Sequence, residues 1–219
     1  MAWYIRAVAR TFLDAAARTA FTAAVEAIER ASAAEVVVAV RRRSAAYRHA
    51  NVVVGAAAAI AGLAAMLFSA DAFGLISILV DPFVVGALAG AVVELLPGVK
   101  RALTPRSVRR REVLRAARAA FVERGVHRTR DRSGLLVYLS WLEREVVLIA
   151  DAGLERALPE EVRADATRSL TAAIRDGGGA VARELARYGP ALAAAMPCRP
   201  DDINELPDAV DSDLARGAP

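Results

Sequence analysis

Near its C-terminal end the chain gathers Asp201, Asp202, Glu205 and Asp208 into one short polar segment, PDDINELPD. Carboxylate oxygens grouped in this way are the ligands that Ca2+ and Mg2+ prefer, and a bound ion of that kind would neutralise charge during hydrolysis of a phosphoester. Asp151, closing the apolar run REVVLIAD, completes this polar or metal-binding cluster. The segment nevertheless lacks the spaced ligands and central glycine of an EF-hand loop. A basic loop, HRTRDRSG, supplies His127, Arg128, Arg130 and Arg132. Charge-assisted hydrogen bonds between the two segments would lock the C-terminal extension onto the domain, and this use needs no metal. On that reading no cofactor is expected, and a divalent cation belongs to the hydrolytic alternative.

Other chemistries are poorly served. Cys198 is the only cysteine, which excludes an intramolecular disulfide and a thiolate metal cluster. It is followed at once by RPDD, with no phosphate-cradling loop such as a cysteine phosphatase needs. DSDLA, from Asp211 to Ala215, is superficially like an aspartyl-phosphate nucleophile segment but follows no predicted strand. His127 falls between a predicted helix end and a strand, where a hydrogen-bonding role is expected, and His49 shares no metal-ligand spacing with it. The net charge of +4 and pI of 9.8 come almost wholly from arginine, Lys100 being the only lysine. No zinc-finger, RNP or recognition-helix pattern accompanies that charge, so nucleic acid is not an expected partner.

The elements that must position these residues are unusual. The chain is 56% hydrophobic with a mean hydropathy of +0.33, yet 25% of its residues are charged, so the apolar residues are concentrated. They lie in two runs, about 50–70 and 75–96, each near the ~20 residues that cross a bilayer as a helix. Only DAFG separates them, so the pair must be a hairpin returning to the side it came from. Arg41, Arg42, Arg43 and Arg48 precede the hairpin and Lys100, Arg101, Arg106, Arg109, Arg110 and Arg111 follow it, while the turn holds no cation. The positive-inside bias then places both termini and the folded domain in the cytoplasm, on an inner membrane. Trp3, Tyr4 and Tyr47 suit the lipid interface, and Arg6, Arg10 and Asp14 break the pattern of a signal peptide. Small residues recur at helix-contact spacing, Ala58 and Gly62 in the first span and Gly86 and Gly90 in the second, and are expected to pack the hairpin against itself or a second copy. Asp81 and Glu94 are expected to reach water at the helix ends.

Outside the hairpin, apolar spacing predicts a helix from about Thr11 to Ala31 and a doubly covered strand, EVVVAV. A helix over RSVRRREVLRAARAAFVERG follows the hairpin. GLLVYLSW and REVVLIAD are then two antiparallel strands joined near Leu142 to Arg144, and helices follow at about Pro159–Arg175 and Val181–Met196. Strand, helix and strand around the insertion form one crossover unit with EVVVAV and LLVYLS as parallel neighbours. The predicted organisation is therefore 1–46 and 103–208 as one α/β domain, a small mixed sheet with helices on both sides, interrupted by the hairpin at 47–102 and ending in a polar tail, 209–219. A crevice at the carboxyl end of EVVVAV would face lipid, where Arg41, Arg42, Arg43, Arg48, Arg109, Arg110 and Arg111 would meet anionic head groups.

ERASAAEVVVAVRRRSAAYR (Glu29 to Arg48), a membrane hairpin, FVERGVHRTRDRSGLLVYLSWLEREVVLIADAGL (Phe121 to Leu154) and PDDINELPD together resemble the bacterial membrane branch of the TPM domain family. The resemblance rests on His127-Arg128-Thr129, Gly134, Ala150-Asp151 and the acidic box in combination. It implies an α/β sandwich with a mixed sheet. It leaves function open, because the wider family includes a thylakoid-lumen acid phosphatase, a photosystem-repair factor and an auxiliary protein of an acetylcholine receptor. The function expected from the sequence is a non-enzymatic interaction or accessory module for another membrane protein, or for a second copy, at the cytoplasmic face. The alternative is a membrane-bound phosphohydrolase using the acidic box with a divalent cation.

Overall fold

The computed structural model describes residues 12–199 and 204–214. Trp3, Tyr4, Asp201 and Asp202 lie outside them. The chain forms two compact units: Ala45–Arg109 is one, and the segments up to Ser44 and on from Arg110 fold together as the other.

The second unit is built on a four-stranded mixed sheet of order β3-β2-β1-β4, with β1 at Glu35–Arg41, β2 at Gly134–Ser140, β3 at Glu145–Ala150 and β4 at Asp211–Ser212. β1 and β2 are parallel, in register from Glu35 opposite Gly134 to Arg41 opposite Ser140, and β2 and β3 are antiparallel, as the sequence predicts. The turn between β2 and β3 places Arg144 in the left-handed region, φ 54°. The continuous apolar character of β1 follows from burial on both faces. Val36, Val38 and Val40 pack with Phe21, Val25 and Ile28 of α1 (Ala15–Ala31), while Val37 and Ala39 pack with Val113, Ala117 and Ala120 of α5 (Arg106–Glu123). α1 starts later than predicted because Asp14 caps it, its Oδ1 accepting from the Ala17 N–H at 2.7 Å.

Helices α6 (Ala152–Ala157), α7 (Glu160–Ala173), α8 (Gly178–Arg187) and α9 (Gly189–Ala195) follow β3. The single helix expected over Val181–Met196 is two, because Pro190 at the second position of α9 has no N–H to continue the earlier ladder. Gly134, opening β2, sits where a Cβ would overlap the Val126 carbonyl oxygen, so only glycine fits. The expectation of a polar tail from 209 is corrected in part: β4 pairs in parallel with Ala39 and Val40, and Leu214 is buried in the core.

The first unit holds two helices long and apolar enough to cross a membrane, α2 (Arg48–Phe68) and α3 (Leu75–Glu94), then the short α4 (Pro97–Leu103). They pack through glycine, with a different member of α2 from those predicted. A Cβ on Gly55 would stand 2.8 Å from the Gly86 carbonyl oxygen, and one on Gly86 would meet Gly55 O at 2.7 Å and Ala59 Cβ at 2.9 Å. Ala58 is one position off this seam, whereas Gly62 faces Val85. Gly86 and Gly90 are therefore used inside the hairpin. Gly86→Leu is expected to part the two helices. In a Cys198→Ser background, Gly62→Cys with Val85→Cys should cross-link readily on oxidation, since a Cβ at 62 lies 4.0 Å from Val85 Cγ1, and adding Gly86→Leu should abolish the cross-link.

Candidate functional site

Where α1 ends and β1 begins, the C-terminal strap crosses and a cleft of about 460 Å³ opens, lined by Glu26, Glu29, Arg30, Glu35, Cys198, Asn204 and Asp208. Glu29, Glu35 and Asp208 each have a local task. Glu29 Oε1 accepts from the Val36 N–H at 2.9 Å and Oε2 from Asn204 Nδ2 at 3.4 Å. Asn204 also donates to Asp208 Oδ1 at 2.6 Å. Glu35, buried at the head of β1, turns Oε2 to the N–H groups of Glu205 and Leu206, at 3.3 and 3.1 Å. Burial pushes the Glu29 carboxyl from 4.5 to about 8, overcoming the lowering effect of the Val36 N–H and reinforced by Asp208 and Glu35.

The folded chain therefore holds a proton on Glu29 that the unfolded chain releases. The stability this contributes is fully present below about pH 4.5 and is lost as pH rises through about 8. Glu29→Gln should flatten that part of the stability profile, as measured by denaturant midpoints across the range. An unchanged slope would show that Glu29 is not the titrating group.

The sequence-predicted residues divide. Glu205 meets the basic loop, but through the main chain: both its oxygens accept from the Arg130 N–H, at 3.2 and 3.0 Å. The accompanying ion pair has the charges the other way round, Arg199 on the strap donating to Asp131 on the loop at 3.1 Å. Asp151 does not join the acidic box. Its Oδ1 caps α6 by accepting from the Ala152 N–H at 2.7 Å, and Oδ2 lies 3.0 Å from Arg132 Nε as an ion pair without a well-aligned hydrogen bond. The ring of His127 lies beside Phe121, its centroid 6.2 Å away, with Nδ1 buried and unbonded. Arg128 is exposed. Among the described residues no group of three or more His, Cys, Asp or Glu side chains is arranged to hold a metal ion. Of the described carboxylates predicted to form the cluster, Glu205 accepts from the Arg130 N–H, Asp208 Oδ1 from Asn204 Nδ2 and Asp151 Oδ1 from the Ala152 N–H, so each is turned to a different donor.

The arginines expected at a lipid surface also diverge. Arg41 pairs with Asp211, which also takes Arg124 at 2.5 Å, and the Arg42 N–H donates to Asp213 at 2.7 Å. DSDL is thus a strap held at the carboxyl end of β1. Arg109 donates to the Thr104 carbonyl oxygen at 3.0 Å. Arg43, Arg48, Arg110 and Arg111 are exposed. Arg110 faces Glu145 at 3.9 Å and Arg111 faces Glu112 at 3.8 Å, which are weak surface pairs.

Nearby lies a buried network that the sequence did not single out. Glu143 in the β2–β3 turn accepts from the Ser44 N–H at 2.9 Å and from the Ser140 hydroxyl at 2.6 Å. The Ser44 and Ser140 hydroxyls are 2.7 Å apart, and Tyr138 OH lies 3.3 Å from Ser44. Burial raises the Tyr138 phenol above its ordinary value, with the Ser44 hydrogen bond opposing. The signal available was the turn residue itself: a carboxylate between two buried strands must meet donors.

No family model matches the chain, and no curated protein matches it. Among solved structures it is similar to the NMR structure of the BA42 protein from the psychrophilic bacterium Bizionia argentinensis, at 15% identity and a TM-score of 0.55, over 92% of this chain and 95% of that one. At that identity the likeness is one of fold, and the fold shared is a mixed α/β sheet with helices.

Proposed function

We propose that this is a two-span membrane protein of the TPM type whose α/β unit is an interaction or accessory module for another membrane protein at the cytoplasmic face. The observation that carries the reading is the outward apolar surface of the α2–α3 hairpin: Ile60, Phe68, Leu75 and Phe83 are 68%, 89%, 82% and 72% exposed. In water such a surface would aggregate; in hydrocarbon it is solvated. The resemblance of Glu29–Arg48, Phe121–Leu154 and the acidic box to the TPM family supports the same reading. So does the way polar groups near both ends of β1 serve strap and turn contacts. Arginines on both flanks of the hairpin, and none in its turn, favour cytoplasmic termini and contact with anionic head groups.

Cys198, exposed and the only thiol, tests the topology. A membrane-impermeant maleimide should label it only after intact cells are permeabilised. Labelling before permeabilisation would put the α/β unit outside and overturn the cytoplasmic assignment.

A second reading, phosphoester hydrolysis, is favoured by Glu29, a carboxyl protonated near neutrality in an acidic cleft and so suited to act as a general acid. Purified protein should then hydrolyse p-nitrophenyl phosphate, and Glu29→Gln should abolish the activity while the protein stays folded by circular dichroism. Activity unchanged by that substitution would remove the assignment.

A further inference from the structure

The two carboxylates of the second apolar helix are treated differently by the fold. Glu94, at the C-terminal end of α3, is met by Lys100 Nζ at 2.5 Å and Asn51 Nδ2 at 2.9 Å. Asp81 makes no hydrogen bond or ion pair with the described residues. It is the seventh residue of α3, about 9 Å along the helix from Leu75 at a rise of about 1.5 Å per residue, and its side chain is short beside the lysine and arginine side chains that reach water from within a span.

The direction of Asp81 is equally telling. Pro82, Gly86 and Val93 form the buried seam against α2. Asp81 belongs to another stripe, with Ser77 one turn before it and Val84 and Leu88 after it, the last two 50% and 63% exposed. A carboxylate and a hydroxyl thus face away from the hairpin, where hydrocarbon offers neither charge nor donors. Pro82 adds an acceptor beside them, because it has no N–H to give the Ile78 carbonyl.

We infer that the Ser77–Asp81 stripe of α3 is a docking face for a transmembrane helix of a different protein, one carrying a lysine or arginine at the depth of Asp81. Charge complementarity selects the partner. From 50 to 96 this chain contains no lysine, arginine or histidine, so a second copy inserted the same way would bring only another Asp81 to that depth. The inference rests on the two-span reading and gives the chemistry of the membrane partner proposed above.

The test uses the full chain in phosphatidylcholine vesicles, labelled at Ala72→Cys in a Cys198→Ser background. The probe is a synthetic single-span leucine-alanine helix with one lysine about 9 Å from its outer end, set against the same helix with leucine there. Energy transfer should show the lysine helix binding at least about tenfold more tightly, with Asp81→Asn removing most of that advantage and Gly62→Ala leaving it intact. Equal binding of the two helices overturns the inference, as does Asp81-dependent transfer between copies without peptide, which would make a second copy the occupant. Flotation and carbonate resistance are measured first. A chain that does not insert defeats the two-span reading itself, whereas a chain that inserts and shows no lysine preference defeats only the docking face.

Discussion

Glu143→Ala is expected to lower the stability of the α/β unit by about 3 kcal/mol. Glu143 is 3% exposed, and its two oxygens take the Ser44 N–H, where the chain leaves β1, and the Ser140 hydroxyl at the end of β2. Truncation takes the acceptor from the part-buried Ser44 N–H and leaves the buried Ser140 hydroxyl with only the Ser44 hydroxyl as its neighbour. Glu143→Gln keeps one good acceptor and should cost about half as much. Urea unfolding followed by Trp141 fluorescence in a Trp3→Phe background would measure this, at unchanged denaturant slope. A loss below about 1 kcal/mol would mean that the network is solvated in the native state.

Lys100→Met is expected to cost the hairpin unit about 2 kcal/mol. Lys100 is 2% exposed and bridges Glu94 Oε2 to the Ala46 carbonyl oxygen, at 2.5 and 3.2 Å. It thereby joins the start of α2 to the end of α3. The estimate is held below the range for a fully buried pair because the Glu94 side chain is 47% exposed and partly screened. Thr104, buried beside it, donates to the Lys100 carbonyl oxygen at 2.7 Å and meets His49 Nε2 at 3.1 Å, so the node has a rigid base. Detergent titration of helical circular dichroism should show the loss. Adding Glu94→Gln to Lys100→Met should restore part of it, because the carboxylate that has lost its cation is then replaced by a neutral amide. No recovery in the double variant would assign the loss to the Ala46 carbonyl oxygen, left without its lysine donor.

What the sequence by itself determined was whatever local pattern fixes. β1 is an unbroken apolar, β-branched run because both its faces are covered, and β2 and β3 are separated only by a turn, so their existence and pairing were legible. The two apolar helices were legible from length and hydropathy alone. What only the tertiary structure decided was the partner of each polar group. Glu29 and Glu35 look like ordinary surface and strand-end residues until the strap closes over them, and Asp151 looks like a cluster member until it caps α6. Lys100 reads as a positive flank charge yet is buried against Glu94, and Asp211 reads as tail yet holds Arg41 and Arg124. The physical reason is one of range. Hydrophobic period is written along neighbouring residues, whereas a buried charge is satisfied by whichever donor the fold brings to it, and the strap that meets β1 is separated from it in sequence by nearly the whole chain.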